Sequence, residues 1–330
     1  MGDNRQIAGV TGLGMSVPTR VLTNFELERL VDTSDAWIRE RTGIRERRIA
    51  DSGQSTSYFA IQASKQALEG AGLNPDNIDL IIVATATPDM QFPATACIVQ
   101  DTLGAGRAAA FDLEAGCSSF IYAMAVGAQF INTGCYRSVL VVGADALSKV
   151  VNWRDRSTCV LFGDGAGAVV LQPVEPPRGI LSFCIRADGS GVNLLQLPAG
   201  GSRLPASEET VKSGLHYLVM NGREIFKFAV RAMGEAAAEA LRLAGVRQEE
   251  VDCFIPHQAN IRIIDALAKR LCLPPDKVLV NVDRYGNTSS ASIPIALYEA
   301  VSAGKVKPGS LVLFVAFGAG LTWGATVLRY

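Results

Sequence analysis

Histidine is scarce in this chain: His216 and His257 are the only two among 330 residues. That scarcity excludes a multi-histidine metal centre and leaves few side chains able to carry a proton near neutral pH. Paired cysteines are also missing. Seven cysteines are scattered from Cys97 to Cys272 with no CxxC pair, which argues against a disulfide framework or a structural zinc site and fits a reducing cytosol. Nor is either charge in excess. With 31 basic and 32 acidic residues the net charge is -1, so no global positive field exists to hold a nucleic-acid backbone. The beginning of the chain, MGDNRQIAGVTG, has no basic or apolar leader, and Gln6 stands where a myristoylation signal carries Ser or Thr. Apolar stretches such as residues 311–317 have strand length, not membrane-spanning length. What is present, 48% hydrophobic and 19% charged residues, describes a soluble, cytoplasmic globular chain, long enough for two domains or one large one.

Short β-rich runs at residues 78–85, 139–143, 166–171 and 311–316 alternate with Ala-rich helical patterns at 57–71, 118–132, 224–244 and 261–271. The alternation predicts an α/β protein with a largely parallel sheet, and the Pro-rich stretch QPVEPPRG, residues 172–179, predicts a boundary near the middle. A repeat makes that midpoint informative. ALEGAGLNPDNIDLIIV from Ala67 matches ALRLAGVRQEEVDCFIP from Ala240 without a gap, at an offset of 240 − 67 = 173, with Ala71/Ala244, Gly72/Gly245 and Asp79/Asp252 in register. FGDGAGAVVL from Phe162 resembles FGAGLTWGATVL from Phe317, and Gly167 matches Gly324 at the smaller offset of 324 − 167 = 157. The shrinking offset predicts an insertion in the first half, around residues 148–158. Duplication explains this register better than the generic likeness of α/β units.

Three constellations can carry chemistry. Cys117 lies in FDLEAGCSSFIYAMAVGAQFI, where an extended run meets a helical one. There the unpaired N–H groups of the first turn favour a thiolate, and Gly116, Ser118 and Ser119 leave room for a substrate. A free cysteine is more often a small buried hydrophobe, which is the reading for Cys97, Cys135, Cys159, Cys184, Cys253 and Cys272. His257 ends a strand in VDCFIPHQANIRII, the end where open α/β sheets place their ligands; His216, in SGLHYLVM, is read as structural. Asn287 lies in DRYGNTSSASIPIAL, in the slot that GCSSFIYAM fills in the first half, so pseudo-symmetry would turn Cys117 and Asn287 toward one cleft with His257 beside them. FGAGLTWG offers a glycine-rich turn able to aim N–H groups at an oxyanion, and neither it nor FGDGAGA has the form of a phosphate loop. On the helix after His257, Arg262 and Lys269 are two turns apart on one face and Arg270 adjoins, opposite a stripe of Ile264, Leu267, Ala268 and Leu271. Such a basic face, with Lys227 contributing, suits an acidic partner, although most charged helix faces are simply solvated.

Together these segments resemble the β-ketoacyl-acyl-carrier-protein synthase III family, thiolase-fold condensing enzymes that start type II fatty-acid synthesis. TSDAWIRERTGIRERRIA, AGCSS, FGDGAGAVVL, PHQANIRII, GNTSSASIPIAL and AFGAGLTWG occur in the family's order over essentially the whole chain. The resemblance implies a five-layered αβαβα fold from two duplicated halves, residues 1–174 and 175–330, and a homodimer. It implies a catalytic triad of Cys117, His257 and Asn287, with backbone N–H groups of Cys117 and Ala319 at the oxyanion, although Gly318-Ala319-Gly320 departs from the commoner triple glycine. It places Trp37, Arg41, Thr42 and Arg156 on the adenine and pyrophosphate of CoA, Gly222 and Asn260 along the pantetheine tunnel, and Phe226 and Phe317 at its inner end. Phe92 would reach into the partner subunit's acyl pocket, and the basic face would meet an acyl-carrier protein. Acyl-CoA and malonyl-acyl-carrier protein are substrates, no cofactor or metal is implied, and neither nucleic acid nor membrane is a partner. Ser118-Ser119 and Arg223 depart from the commonest family forms, leaving a related acyltransferase of specialised metabolism as the alternative. A catalytically silent acyl-binding subunit is disfavoured by the intact Cys117.

Overall fold

The apolar runs assemble into two β-sheets in the computed structural model, which describes residues 6–330. Met1–Arg5, on which part of the reading of the chain's beginning rests, lie outside the described residues. The first sheet comprises β1 (Ile7–Ser16), β2 (Leu80–Ala84), β3 (Ala109–Leu113), β4 (Val139–Ala146) and β5 (Asp164–Val174), in the order β1-β5-β4-β2-β3. The second comprises β6 (Gly179–Ala187), β7 (Cys253–Pro256), β8 (Leu311–Gly318) and β9 (Thr322–Arg329), in the order β7-β8-β9-β6. The Pro-rich stretch runs from the end of β5 to the start of β6.

Both sheets are mixed, which corrects the expectation of a largely parallel one. β2 runs parallel to β3 and β4, and β7 parallel to β8, but β5 is antiparallel to β4 and β1, and β9 to β8 and β6. The cause is the link between β8 and β9, residues 319–321, which is too short for the crossover that parallel neighbours need. Residues 147–163 connect the corresponding pair β4 and β5, so the insertion foreseen in the first half is present and slightly wider than expected.

The helices that position the site are α1 (Asp35–Thr42), α2 (Thr56–Ala71), α3 (Thr95–Leu103), α4 (Ser119–Asn132), α5 (Gly222–Ala244), α6 (Ile261–Arg270) and α7 (Ser292–Ser302). α2 and α3 cover the outer face of the first sheet, α5 covers the outer face of the second with α6 packed on it, and α4 and α7 lie between the sheets. The result is five layers, αβαβα. Sequence follows position: α4, SFIYAMAVGAQFIN, carries no charged residue because the two sheets remove water from both its sides, with Phe120, Ile121 and Met124 at 1% exposure. α5 is amphipathic, burying Ile225, Ala229, Met233 and Ala237 and turning Arg and Glu outward.

The repeated residues do the same work in each half. Gly72 ends α2 and Gly245 ends α5 in the left-handed conformation, at φ 60° and 64°, returning their N–H groups to carbonyls three and four residues back. Asp79 donates its N–H to the carbonyl of Ser138 and accepts from the Ser138 N–H, both at 3.0 Å. Asp252 repeats the exchange with Leu311, at 2.9 and 2.8 Å. In each half the Asp thereby sets the start of a central strand.

Candidate active site

Cys117 sits in a single turn, Gly116–Ser118, between β3 and the start of α4. The turn is held by its serines: Ser118 Oγ donates to the carbonyl of Ala115 at 2.7 Å, and Ser119 Oγ donates to that of Gly116 at 2.6 Å while accepting from the Ala115 N–H. The pair that departs from the family's form is thus structural. Opposite lies the end of β8. A Cβ on Gly318 would stand 2.4 Å from the Cys117 nitrogen, and one on Gly116 2.4 Å from the Ala319 nitrogen, so only glycine lets these two loops meet backbone to backbone. The N–H groups of Cys117 and Ala319 have no protein acceptor among the described residues.

His257 follows β7, its N–H bonded to the carbonyl of Val315 at 2.7 Å. Its Nδ1 lies 2.6 Å from Ser292 Oγ, which also accepts from the Gln258 N–H at 3.4 Å. Ser292 is 2% exposed and its hydroxyl has no other acceptor among the described residues. The hydroxyl therefore donates to Nδ1, and Nε2 carries the imidazole proton. Burial holds this ring neutral, with its pKa lowered to about 4. Asn287 is pinned to residues 161–163: its N–H donates to the carbonyl of Leu161 at 2.8 Å and its own carbonyl accepts from Gly163 at 3.0 Å. Its Oδ1 accepts from the Ser289 N–H at 2.8 Å, which fixes the amide's rotation and leaves the NH2 as the free end.

The thiolate expected at the helix start is not the resting state. Burial raises the Cys117 thiol to about 12; the Ser289 hydroxyl, 3.3 Å from Sγ, lowers it, while the carboxylates of Asp145 and Glu114 raise it further. Although the residue opens onto a cavity, protein rings the sulfur. A helix N-terminus contributes roughly 1–2 kcal/mol at best, against about 4 kcal/mol for a displacement of this size.

Cys117, His257 and Asn287 all line one cavity of about 710 Å3 including its mouth, together with Gly222, Phe226, Asn260 and Phe317. Its remaining wall is almost wholly apolar. Leu195 and Met220, from the weakly patterned segment between β6 and α5, complete it, and sequence periodicity offered no signal for them. Phe92 is not part of this wall; it is 85% exposed on the surface. Trp37 stands on α1 with the guanidinium of Arg41 4.8 Å and that of Arg156 5.4 Å from its ring centre. Thr42 is buried, and its hydroxyl is occupied by the carbonyl of Ile38 and the N–H of Ile44. Asn260 caps α6 through Oδ1 and donates Nδ2 to the Arg41 carbonyl at 3.0 Å, tying the two clusters together.

On α6, Arg262 and Lys269 are exposed with Asp265 between them, and Ile264, Leu267 and Leu271 are buried while Ala268 is half-buried. Arg270 differs, since its stem crosses α5 at Gly234. Lys227 is paired with Glu224 at 3.0 Å. Three of the other cysteines, Cys159, Cys184 and Cys253, are buried as expected; Cys97, Cys135 and Cys272 are exposed, on an outer helix or in turns where no core reaches them. His216 bonds Thr210 Oγ1 at 2.9 Å, a structural contact.

A five-layered fold with a cysteine at a helix start, facing a histidine and an asparagine across an apolar cavity, defines a thiolase-like condensing enzyme. Family models described as 3-oxoacyl-[acyl-carrier-protein] synthase III and its C terminal match residues 111–189 and 241–330. The chain is 61% identical over 322 residues to the β-ketoacyl-[acyl-carrier-protein] synthase III of Symbiobacterium thermophilum, covering 98% of each. Among solved structures it is similar to 3-oxoacyl-[acyl-carrier-protein] synthase III from Aquifex aeolicus, at 53% identity and TM-score 0.91 over 98% of this chain and 100% of that one. It is also similar to the priming β-ketosynthase of the R1128 polyketide pathway, at 38% identity and TM-score 0.93 over 100% and 98%. The chain belongs to the β-ketoacyl-[acyl-carrier-protein] synthase III family and is an acyl-transferring enzyme.

Proposed function

We propose that the chain condenses a short acyl-CoA primer with malonyl-acyl-carrier protein, with loss of CO2, to give a 3-oxoacyl-acyl-carrier protein that initiates fatty-acid synthesis. The observation that carries the assignment of residues is the cavity shared by Cys117, His257 and Asn287, in which the nucleophile meets two fixed hydrogen-bond donors. Cys117 Sγ attacks the acyl-CoA thioester, forming an acyl-enzyme as the thiol proton leaves on CoA. The His257 Nε2–H and the Asn287 NH2 then donate to the malonyl thioester oxygen, stabilising the enolate that forms as CO2 departs. The carbanion attacks the acyl-Cys carbonyl, whose oxyanion meets the N–H groups of Cys117 and Ala319.

In this reading Trp37, Arg41 and Arg156 receive the adenine and phosphates of CoA, with Thr42 supporting α1 from beneath. Gly222, Asn260, Phe226 and Phe317 line the way to the sulfur. Arg262 and Lys269 form the centre of the carrier-protein docking face, with Lys227 and Arg270 at its margin. The halves divide at residues 174 and 175. A homodimer is supported by the open edge of the first sheet at β3 and by the exposed Phe92. The protein is placed in the cytoplasm and needs no cofactor, because both thioesters are substrates. A second reading, the same chemistry in a specialised pathway, draws on the likeness to the polyketide priming enzyme. Intact-mass analysis after incubation with a panel of acyl-CoAs, followed by malonyl-acyl-carrier protein, tests both. An acyl adduct on Cys117 discharged with CO2 release is expected; no adduct from any acyl-CoA would overturn the assignment.

A further inference from the structure

Ser289 is a non-glycine residue with φ 53°, in the left-handed region that glycine would occupy without strain. It is 1% exposed. From this one position its N–H reaches Asn287 Oδ1 at 2.8 Å and its hydroxyl reaches Cys117 Sγ at 3.3 Å. The backbone bond needs only an N–H, which glycine also has. The hydroxyl bond needs serine. We infer that Ser289 is a catalytic hydrogen-bond donor to the nucleophile, holding Sγ in line and stabilising it whenever it carries negative charge. This rests on Cys117 being the nucleophile.

Hydrogen bonds to an ionised partner are roughly twice as strong as neutral ones, so the Ser289 hydroxyl acts where Sγ becomes anionic. In loading, the Sγ–C bond forms and the C–S bond to CoA breaks, with the thiol proton ending on the CoA sulfur. In condensation, the C–C bond forms and the Sγ–C bond breaks, returning its electron pair to Sγ, which regains a proton from solvent. A thioester sulfur is a poor acceptor, so the same hydroxyl gives little to the acyl-enzyme between these steps. The donor thus favours both covalent events relative to the resting intermediate.

The experiment compares wild type, Ser289→Gly and Ser289→Ala in two assays. One is the pH dependence of iodoacetamide alkylation at Cys117, located by peptide mass. The other is the single-turnover rate of acyl loading from acyl-CoA. Ser289→Gly keeps the turn and its N–H while removing the hydroxyl. It is expected to slow both reactions about tenfold at fixed pH and to move the alkylation profile upward in pH, as loss of one charge-assisted bond requires. Wild-type profiles in Ser289→Gly overturn the inference. Slowing in Ser289→Ala alone also overturns it, because the backbone and not the hydroxyl would then be responsible. If wild-type Cys117 takes neither label, the proposed nucleophile itself fails, a result distinct from a Ser289 failure.

Discussion

The hydroxyl of Ser292 lies 2.6 Å from Nδ1 of His257 and makes that nitrogen an acceptor, so the proton of the ring stands on Nε2. A serine at the first position of α7 thereby decides what the histidine at the end of β7 can do: donate to a substrate oxygen, in the neutral form that burial enforces. Ser292→Ala releases the tautomer. Malonyl-acyl-carrier protein decarboxylation in this variant is expected to fall at least about tenfold, while acyl loading on Cys117, followed by mass, falls less. Equal losses in both half-reactions would count against the tautomer argument.

In the proposed mechanism Asn287 and Cys117 serve different half-reactions. Asn287→Ala removes one of two donors to the developing enolate, and CO2 release should drop by about 10²–10³ while the acyl adduct still forms. Cys117→Ala should show no adduct with any acyl-CoA. Radiolabelled CO2 release and intact mass, taken on the same samples, separate the two.

The buried histidine also makes stability depend on pH. Its folded pKa is lowered to about 4 from the usual 6.5, so the native state stays neutral where the unfolded chain binds a proton. The contribution is fully present above pH 6.5 and is lost as pH falls toward 4, by up to about 3 kcal/mol. Urea denaturation at pH 7 and pH 4.5 should show a larger loss in wild type than in His257→Gln. The Cys117 thiol, raised to about 12 from 9.0, works in the other direction: its contribution is present below pH 9 and lost as pH rises. Alkylation of Cys117 should accordingly keep accelerating beyond pH 9.

Gly318→Ala introduces a methyl 2.4 Å from the Cys117 nitrogen, where backbone must move. Condensation is expected to fall by about 10² or more, consistent with displacing an oxyanion donor, with far-UV circular dichroism unchanged. Full activity would mean that the loops need not touch.

Trp37→Ala should raise the KM for acyl-CoA about fivefold, the worth of one ring stacked with cations, and leave the carrier-protein KM alone. Arg262→Ala and Lys269→Ala should do the reverse.

Much of the site was legible because its chemistry is written in short contiguous segments. GCSS, PHQAN and GNTS each place their candidate residue beside the turn that presents it to the shared cavity, and the Asp79/Asp252 and Gly72/Gly245 register exposed the paired sheets. What the sequence did not reveal depends on contacts between distant segments. Ser292 meets His257 across 35 residues of the second half, and Ser289 meets Cys117 only after the halves dock. The sign of the Cys117 shift was misjudged because a helix start is visible in sequence, whereas the packing that desolvates the sulfur is not. Strand direction was misjudged because apolar runs read alike in either orientation. Asp145 gave no sequence signal at all. Fully buried at the end of β4, it accepts six hydrogen bonds from Thr85, Ala86, Thr87 and Ser290.

That carboxylate reaches from the first sheet to the segment that carries Asn287. A chain only as long as residues 1–174 owns the sulfur and four of the six hydrogen bonds to Asp145, yet lacks His257 and Asn287. The last donors to Asp145, the N–H and hydroxyl of Ser290, arrive with the loop that brings the amide. The segment that completes the hydrogen bonds of a buried carboxylate in the first half is therefore the one that presents the Asn287 amide, so a single contact between the halves seats both.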